Sequence, residues 1–318
     1  MIEQFFDTNS IVYGIFKILL IVGIGYILYV FKVLNSHILE WLNKLLLWIC
    51  LPVLIFAKIA SGFDANVIES WWHLPLYAFA ITFLGFILGY VFQKFFLRFN
   101  SSEEFTGCCA FQNAGYIPLT LTTFVCSGDF CNIIFIYIFL YLIGFNILFW
   151  GFAPAYFSKD IRKNFKFSKI FNAPFIATVV SLLVVFSGLK ETIPQQIYIP
   201  LNFIGSATFY IALIILGGFL AKNSGFKPDR WDVIGACVFV KLILMPFIVF
   251  LVLRVIDISF SLKFFIFLEA IMPTAVSLVI VGNYVKADNK LLSGVILYSH
   301  ALAAITMPLW LILFQKTF

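Results

Sequence analysis

Charge is what this 318-residue sequence has least of: 11% of its residues are Asp, Glu, Lys or Arg, while 63% are hydrophobic. A soluble domain carries about 25% charged residues, so the shortage excludes a water-soluble fold and leaves no stretch for a separate soluble domain. The other absences narrow the function. No phosphate-binding G-x-x-x-x-G-K-[ST] loop is present, which argues against direct drive by ATP. The acids are scattered with no Asp-rich motif, and the three histidines lie far apart. Neither a paired-carboxylate nor a metal-assisted membrane enzyme is therefore expected. The six cysteines lack metal-ligand spacing. Cys50, Cys108, Cys109 and Cys237 fall in apolar runs and read as small buried side chains. Cys126 and Cys131, in CSGDFC, flank a short loop and would pair only in an oxidising space. Near the start stand Glu3 and Asp7 where a signal peptide has basic residues, and no small-residue cleavage site follows, so the first helix is expected to be an uncleaved anchor.

What is present is apolar length. A membrane-spanning helix needs about 20 mainly apolar residues, and ten segments qualify: 11–31, 38–60, 74–97, 105–125, 131–155, 171–188, 197–221, 233–253, 261–284 and 291–315. The expected fold is thus an all-α membrane protein of ten transmembrane helices. The basic residues alternate along it. Lys32, Lys44, Lys94, Arg98, Lys159, Arg162, Lys163, Lys166, Lys169, Lys222, Lys227, Arg230, Lys286 and Lys290 fall on one set of loop sides, fourteen of the 21 Lys and Arg. Only Lys190, Arg254, Lys263 and Lys316 fall on the other. The positive-inside rule puts the first set in the cytoplasm and both termini outside, in a plasma or cell inner membrane. The net charge of +6 is explained by this topology and asks for no nucleic acid.

The basic loop 157–170 divides the chain into five helices (1–156) and five more (171–318). An odd number of crossings sends the second five through the membrane in the opposite sense, the arrangement of inverted repeats in secondary transporters. Both halves carry an interruption at a matching place. FQNAGYIPLT (111–120) sets Gln112, Asn113, Gly115 and Pro118 inside the fourth apolar segment, and LEAIMPTAV puts Pro273 inside the ninth, about half the chain away. Proline removes an N–H and obstructs the carbonyl four residues earlier. Two broken helices that cross at mid-membrane predict a substrate site there, and Asn113 is able to donate and accept in it.

Ionisable residues at depth are expensive and are functional candidates by default. Lys17 and Lys58 lie near the outer helix ends and are expected to snorkel. Lys241 in the eighth segment and Glu269 just before Pro273 are deeper. Three readings stay open for them: an ion pair between helices, a proton or cation carried by Glu269, or an anion attracted by Lys241. His300 in LYSHALA reads as a hydrogen-bonded packing residue. Gly85-x-x-x-Gly89 suits a close helix contact, as do Gly217 and Gly218.

These features resemble the auxin efflux carrier family, which includes plant PIN carriers and bacterial malonate-type permeases. LPVLIFAKIASG (51–62) is similar to its second helix, FQNAGYIPLTL to its Asn-x-Gly-x-x-Pro crossover, and NAPFIATVVSLLVVFSG (172–188) to the start of its second repeat. LIILGGFLA (213–221) and IMPTAVSLVIVGNYVKADNKLLSGVILYSHALAAITMPLW (271–310) resemble its closing part. The resemblance spans essentially the whole chain. It implies a scaffold of helices 1, 2, 6 and 7 and a moving unit of helices 3–5 and 8–10, with small organic anions, usually carboxylates, bound where helices four and nine cross. Asn113 and the backbone around Pro118 and Pro273 are the substrate contacts it implies; Tyr116 departs from the family, standing where plant carriers often have a second asparagine, and its hydroxyl and ring suit an anion with an apolar body. The distantly related bile-acid sodium symporters imply an alternative, a sodium ion held by Glu269 and Asn113. The expectation is a permease with no cofactor beyond a coupling H+ or Na+, driven by membrane potential or by a proton on Glu269. An apolar scaffold face suits a homodimer. A receptor retaining a transporter-like fold is the rival from another class.

Overall fold

The computed structural model describes residues 7–64, 71–96, 102–158, 170–225 and 229–318; most of the basic loop 157–170, with Lys159, Arg162, Lys163, Lys166 and Lys169, lies outside them, as do Arg98 and Lys227. Among the described residues the chain is all-helical, with no strand beyond one isolated bridge between Gln112 and Thr274. Seven helices among the described residues are long and apolar enough to cross a membrane. They are α1 (Thr8–Val30), α2 (Ser36–Gly62), α3 (Trp71–Phe96), α6 (Gly128–Ser158), α8 (Gln195–Asn223), α9 (Trp231–Val255) and α12 (Asn289–Thr317). Shorter helices complete the chain: α4 (Glu103–Ala110), α5 (Tyr116–Val125), α7 (Ala173–Phe186), α10 (Phe260–Ala270) and α11 (Leu278–Val285). The apolar stretches 105–125 and 261–284 are thus each two helices with a gap between, because residues 111–115 and 271–277 leave helical geometry.

Local chemistry sets these boundaries. Ser102 and Asn172 cap α4 and α7 through side-chain oxygens that accept from Phe105 and Phe175 N–H at 3.2 and 3.0 Å. Three long helices each contain one π-helical turn: Leu46–Cys50 in α2, Ile147–Phe152 in α6 and Val240–Leu244 in α9. Pro52, Pro154 and Pro246 follow these turns by two residues. A proline inside a helix removes one N–H and crowds the carbonyl four residues back, and the widened turn makes room for its ring. In α9 the freed carbonyl belongs to Leu242, and Trp310 Nε1 of α12 donates to it at 2.8 Å.

Packing sorts the helices into neighbourhoods. α1 runs along α8, and α2 packs on α7 and α8. There Gly25 and Gly217 face each other's helix so closely that a Cβ at Gly217 would sit 2.1 Å from Val22 O. α3 packs on α4 and α6, and α12 on α4 and α9. The expected close contact of Gly85 and Gly89 is made with α4, where a Cβ on Gly85 would lie 2.6 Å from Cys109 O. Large apolar side chains such as Phe31, Trp48, Phe203 and Val255 remain exposed, as the lipid-facing surface of spanning helices requires. Lys58 donates to Asn132 Oδ1 at 3.1 Å, and Lys17 lies over the Phe124 ring. All six cysteines are free thiols, Cys126 and Cys131 among them.

Candidate functional site

The two gaps meet. Asn113 N–H donates to Pro273 O at 2.8 Å, and Ala275 N–H donates to Phe111 O at 2.9 Å, so Gln112 and Thr274 pair as a one-residue antiparallel bridge. Each interruption thereby supplies partners for backbone groups that the other has freed, which hydrocarbon could not do. Thr274 Oγ1 reinforces the crossing by donating to Cys108 O at 3.0 Å. Phe111 is held edge-on by Phe86, Phe145 and Phe149.

The proline roles divide unexpectedly. Pro273 stands in its gap, but Pro118 is the third residue of α5. The first turn of a helix has no intrahelical acceptor for its N–H groups, so Pro118 costs α5 nothing and does not itself make the break. Residues 111–115, with Asn113 and Gly115, make it.

A cavity of about 200 Å³ opens beside the crossing. Its polar lining is Gln112, Asn113 and Tyr116 from the first gap and α5, Ser277 from the second gap, and the amides of Asn43, Asn146 and Asn172. Leu47, Trp48, Phe145, Phe149 and Trp150 form an apolar wall, much of it carried by the π-helical turns of α2 and α6. Among the described residues no Asp, Glu, Lys, Arg or His lines the cavity. Asn113 and Tyr116 border it, whereas Pro118 and Pro273 are not among its lining residues. Tyr116 OH donates to Asn43 Oδ1 at 3.0 Å, and Asn172 Nδ2 donates to Asn146 Oδ1 at 3.1 Å. Asn113 Nδ2 and His300 Nε2 lie 3.4 Å apart, while His300 Nδ1 faces Ile296 O at 2.8 Å. His300 is thus both a packing residue and a support for Asn113.

Three helix N-termini face the same cavity. α5 begins at Gly115 and Tyr116, α11 at Ser277 and α7 at Asn172 and Ala173, all of them lining residues. Neither α5 nor α11 has a side-chain cap; in α11 the first N–H groups are taken by the preceding turn, Leu278 by Ala275 O and Val279 by Val276 O, whereas in α5 the first helical bond comes only at Leu119, which leaves the N–H groups of Tyr116 and Ile117 to a ligand. A helix N-terminus carries about half a positive charge, and anions bind there readily.

Behind the crossing lies a second, drier polar group. Glu269 in the last turn of α10 and Lys241 in the π turn of α9 are both fully buried. They do not form an ion pair; Lys241 Nζ donates to Cys109 O at 3.1 Å and points toward Met245 Sδ at 3.6 Å. Gln112 donates through Nε2 to Tyr141 OH and neighbours Glu269. Asn113 and Glu269, the suggested sodium pair, thus have different neighbours. Among the described residues no three His, Cys, Asp or Glu side chains converge as metal ligands. Asn43, Asn146, Asn172 and Tyr141 carry no local signal of membership in this region, since only long-range packing brings them here.

The family model for membrane transport proteins matches residues 10–153 and 157–311. The chain belongs to this family, the auxin efflux carrier type. An uncharacterized transporter of Methanocaldococcus jannaschii is 24% identical over 303 residues, covering 92% of this chain and 95% of that one. Protein PIN-LIKES 1 of Arabidopsis thaliana is 29% identical over 125 residues, covering 38% of this chain and 26% of its own length. The protein is a multi-pass integral membrane protein of a transporter family.

Proposed function

We propose that this chain is a secondary transporter of small organic anions, carboxylates foremost, that works by alternating access. The observation that carries the reading is the cavity at the crossing: the uncapped N-terminus of α5 opens on it, and among the described residues no carboxylate lines it. That combination attracts a negative charge through backbone N–H groups and helix dipoles. The aromatic and aliphatic wall accepts an apolar body, and the amides orient it. On this reading the interrupted segments 103–125 and 260–285 each span the membrane, giving ten crossings as two inverted repeats, 1–156 and 171–318, joined by the basic loop 157–170, with both termini non-cytoplasmic. The neighbourhood of α1, α2, α7 and α8 serves as scaffold, in a homodimer, and the remaining helices move the site past it.

The test is electrical. The full chain reconstituted in liposomes is given a panel of mono- and dicarboxylates, and charge movement is recorded. At least one acid is expected to carry current, and Asn113→Ala to weaken its apparent affinity about 10- to 100-fold, the value of one hydrogen bond to a charged group. Silence with every acid, together with no uptake of the same acids, from correctly folded protein sinks the proposal.

A further inference from the structure

The Glu269 carboxyl has surroundings that an ionised group does not tolerate. It is fully buried, and among the described residues neither Oε1 nor Oε2 has a hydrogen-bond partner. No cation pairs with it, since the Lys241 ammonium is turned to the Cys109 carbonyl. Taking a carboxylate out of water without compensation costs several kcal/mol even after relaxation, far more than burying the neutral acid. Its polar neighbours are few. Lys241 approaches from α9, Gln112 from the first gap, and Tyr141 from α6. α3 also packs on α10 but brings no ionisable side chain to Glu269, and α12 meets α10 there through Trp310 and Phe314 against Phe267. Cys108, Cys109 and Cys237 surround Lys241 rather than the acid.

We infer that Glu269 is a proton-binding site coupled to the cavity, neutral in the state described and exchanging one proton for each anion carried. The connection is Gln112. Its side chain neighbours Glu269 and bonds Tyr141, its Oε1 lacks a donor, and its backbone forms the bridge to Thr274 while the residue also lines the cavity. A carboxylate behind this residue would repel an anion in front of it through a low-dielectric wall, so the proton and the anion favour each other's binding. Reciprocity then makes lower pH tighten anion affinity, by up to about tenfold per pH unit where Glu269 titrates. In balance, the acid releases H+ toward the side on which the anion leaves and takes H+ up on the side where the next one enters. Lys241 is the counter-charge nearest to hand while the carboxylate is bare.

This inference rests on the anion-transport reading, and a spectroscopic arm separates the two. Infrared spectra of the full chain in lipid at neutral pH, without substrate, are compared for the wild type and Glu269→Gln. The wild type is expected to show the C=O stretch of a protonated carboxylic acid that Glu269→Gln lacks, sensitive to D2O and lost at alkaline pH. Tyr141→Phe, which keeps the acid, is expected to shift that band, and it serves if Glu269→Gln does not fold. Absence of the band, or its removal by sodium at constant pH, overturns the inference. In the transport arm, vesicles containing a pH-sensitive dye receive malonate or benzoate. Wild-type entry of the acid is expected to bring acidification that the glutamine variant lacks while still exchanging the anion. Anion movement with no proton movement in the wild type overturns the coupling. Absence of any anion movement overturns the transport reading, and the infrared result still decides whether Glu269 holds a proton.

Discussion

The gap between α4 and α5 presents Gln112, Asn113, Gly115 and Tyr116 to the cavity, whereas the gap between α10 and α11 keeps Met272 and Thr274 fully buried and reaches the cavity only through Ala275, Val276 and Ser277. The two are joined by the same pair of backbone hydrogen bonds and are about equally buried, yet the first lines the cavity from Gln112 onward and the second only from Ala275 onward. They are also made differently. The first relies on a polar, glycine-containing segment with its proline placed just inside the following helix, and the second has its proline within the gap. A broken membrane helix is therefore a geometry that more than one chemistry can produce.

The largest expected effect comes from moving the first gap bodily. A side chain at Gly85 would meet the backbone of Cys109 and Ala110 at 2.6 Å, and backbone atoms do not yield as a flexible side-chain tip does. Gly85→Leu is expected to cost about 3 kcal/mol or more, at the upper end of overpacking, seen as a large fall in melting temperature in detergent. A variant as stable as the wild type would mean that α4 is free to slide on α3 and that the first gap is not held in place from behind.

The comparison sharpens when one polar side chain is removed from each gap. Asn113 joins the crossing through its backbone N–H, so Asn113→Ala leaves that bond intact and is expected to damage substrate affinity with little change in stability. Thr274→Val does the reverse. It removes the bond to Cys108 O, costing about 1 kcal/mol of stability, while a side chain that does not line the cavity leaves affinity unchanged. Melting temperatures and apparent affinities of the two variants, measured side by side, check this. Loss of affinity in Thr274→Val with unchanged stability would contradict the division of labour.

Much of this region was legible in the residues themselves. Gln112, Asn113, Gly115 and Pro273 are conspicuous because polar and helix-breaking residues inside an apolar run demand an explanation, and Asn113 and Tyr116 do border the cavity. Pro118 was conspicuous for the wrong reason. A proline marks either a break or the first turn after one, and sequence alone does not distinguish them. Asn172 gave no such signal, because an asparagine at a helix start has an ordinary use as a cap, which it indeed fulfils, and Asn43 and Asn146 stand singly inside α2 and α6. Their convergence is a product of tertiary packing. The π turns were equally hidden: a proline in a helix requires some accommodation, but whether the helix kinks, widens or recruits a donor such as Trp310 depends on its neighbours.

The smallest effect tests the two prolines against each other. At position 273 an alanine would regain an N–H four residues beyond Glu269, whose carbonyl accepts a long 3.4 Å bond from Met272 N–H and lies near Ile271 N–H. The new N–H would prolong α10 by a residue and draw the 273 carbonyl away from Asn113 N–H, so Pro273→Ala is expected to cost about 1 kcal/mol and to slow transport. At position 118 the carbonyl four residues back belongs to Ala114, outside any helix, and the first α-helical bond of α5 runs from Leu119 N–H to Gly115 O. Pro118→Ala therefore meets no steric or hydrogen-bonding consequence beyond a freer unfolded chain, under about 1 kcal/mol, and transport is expected to be unchanged. If transport instead fails in Pro118→Ala and survives in Pro273→Ala, the first gap is held open by its proline after all, and the polar segment before it is a passenger.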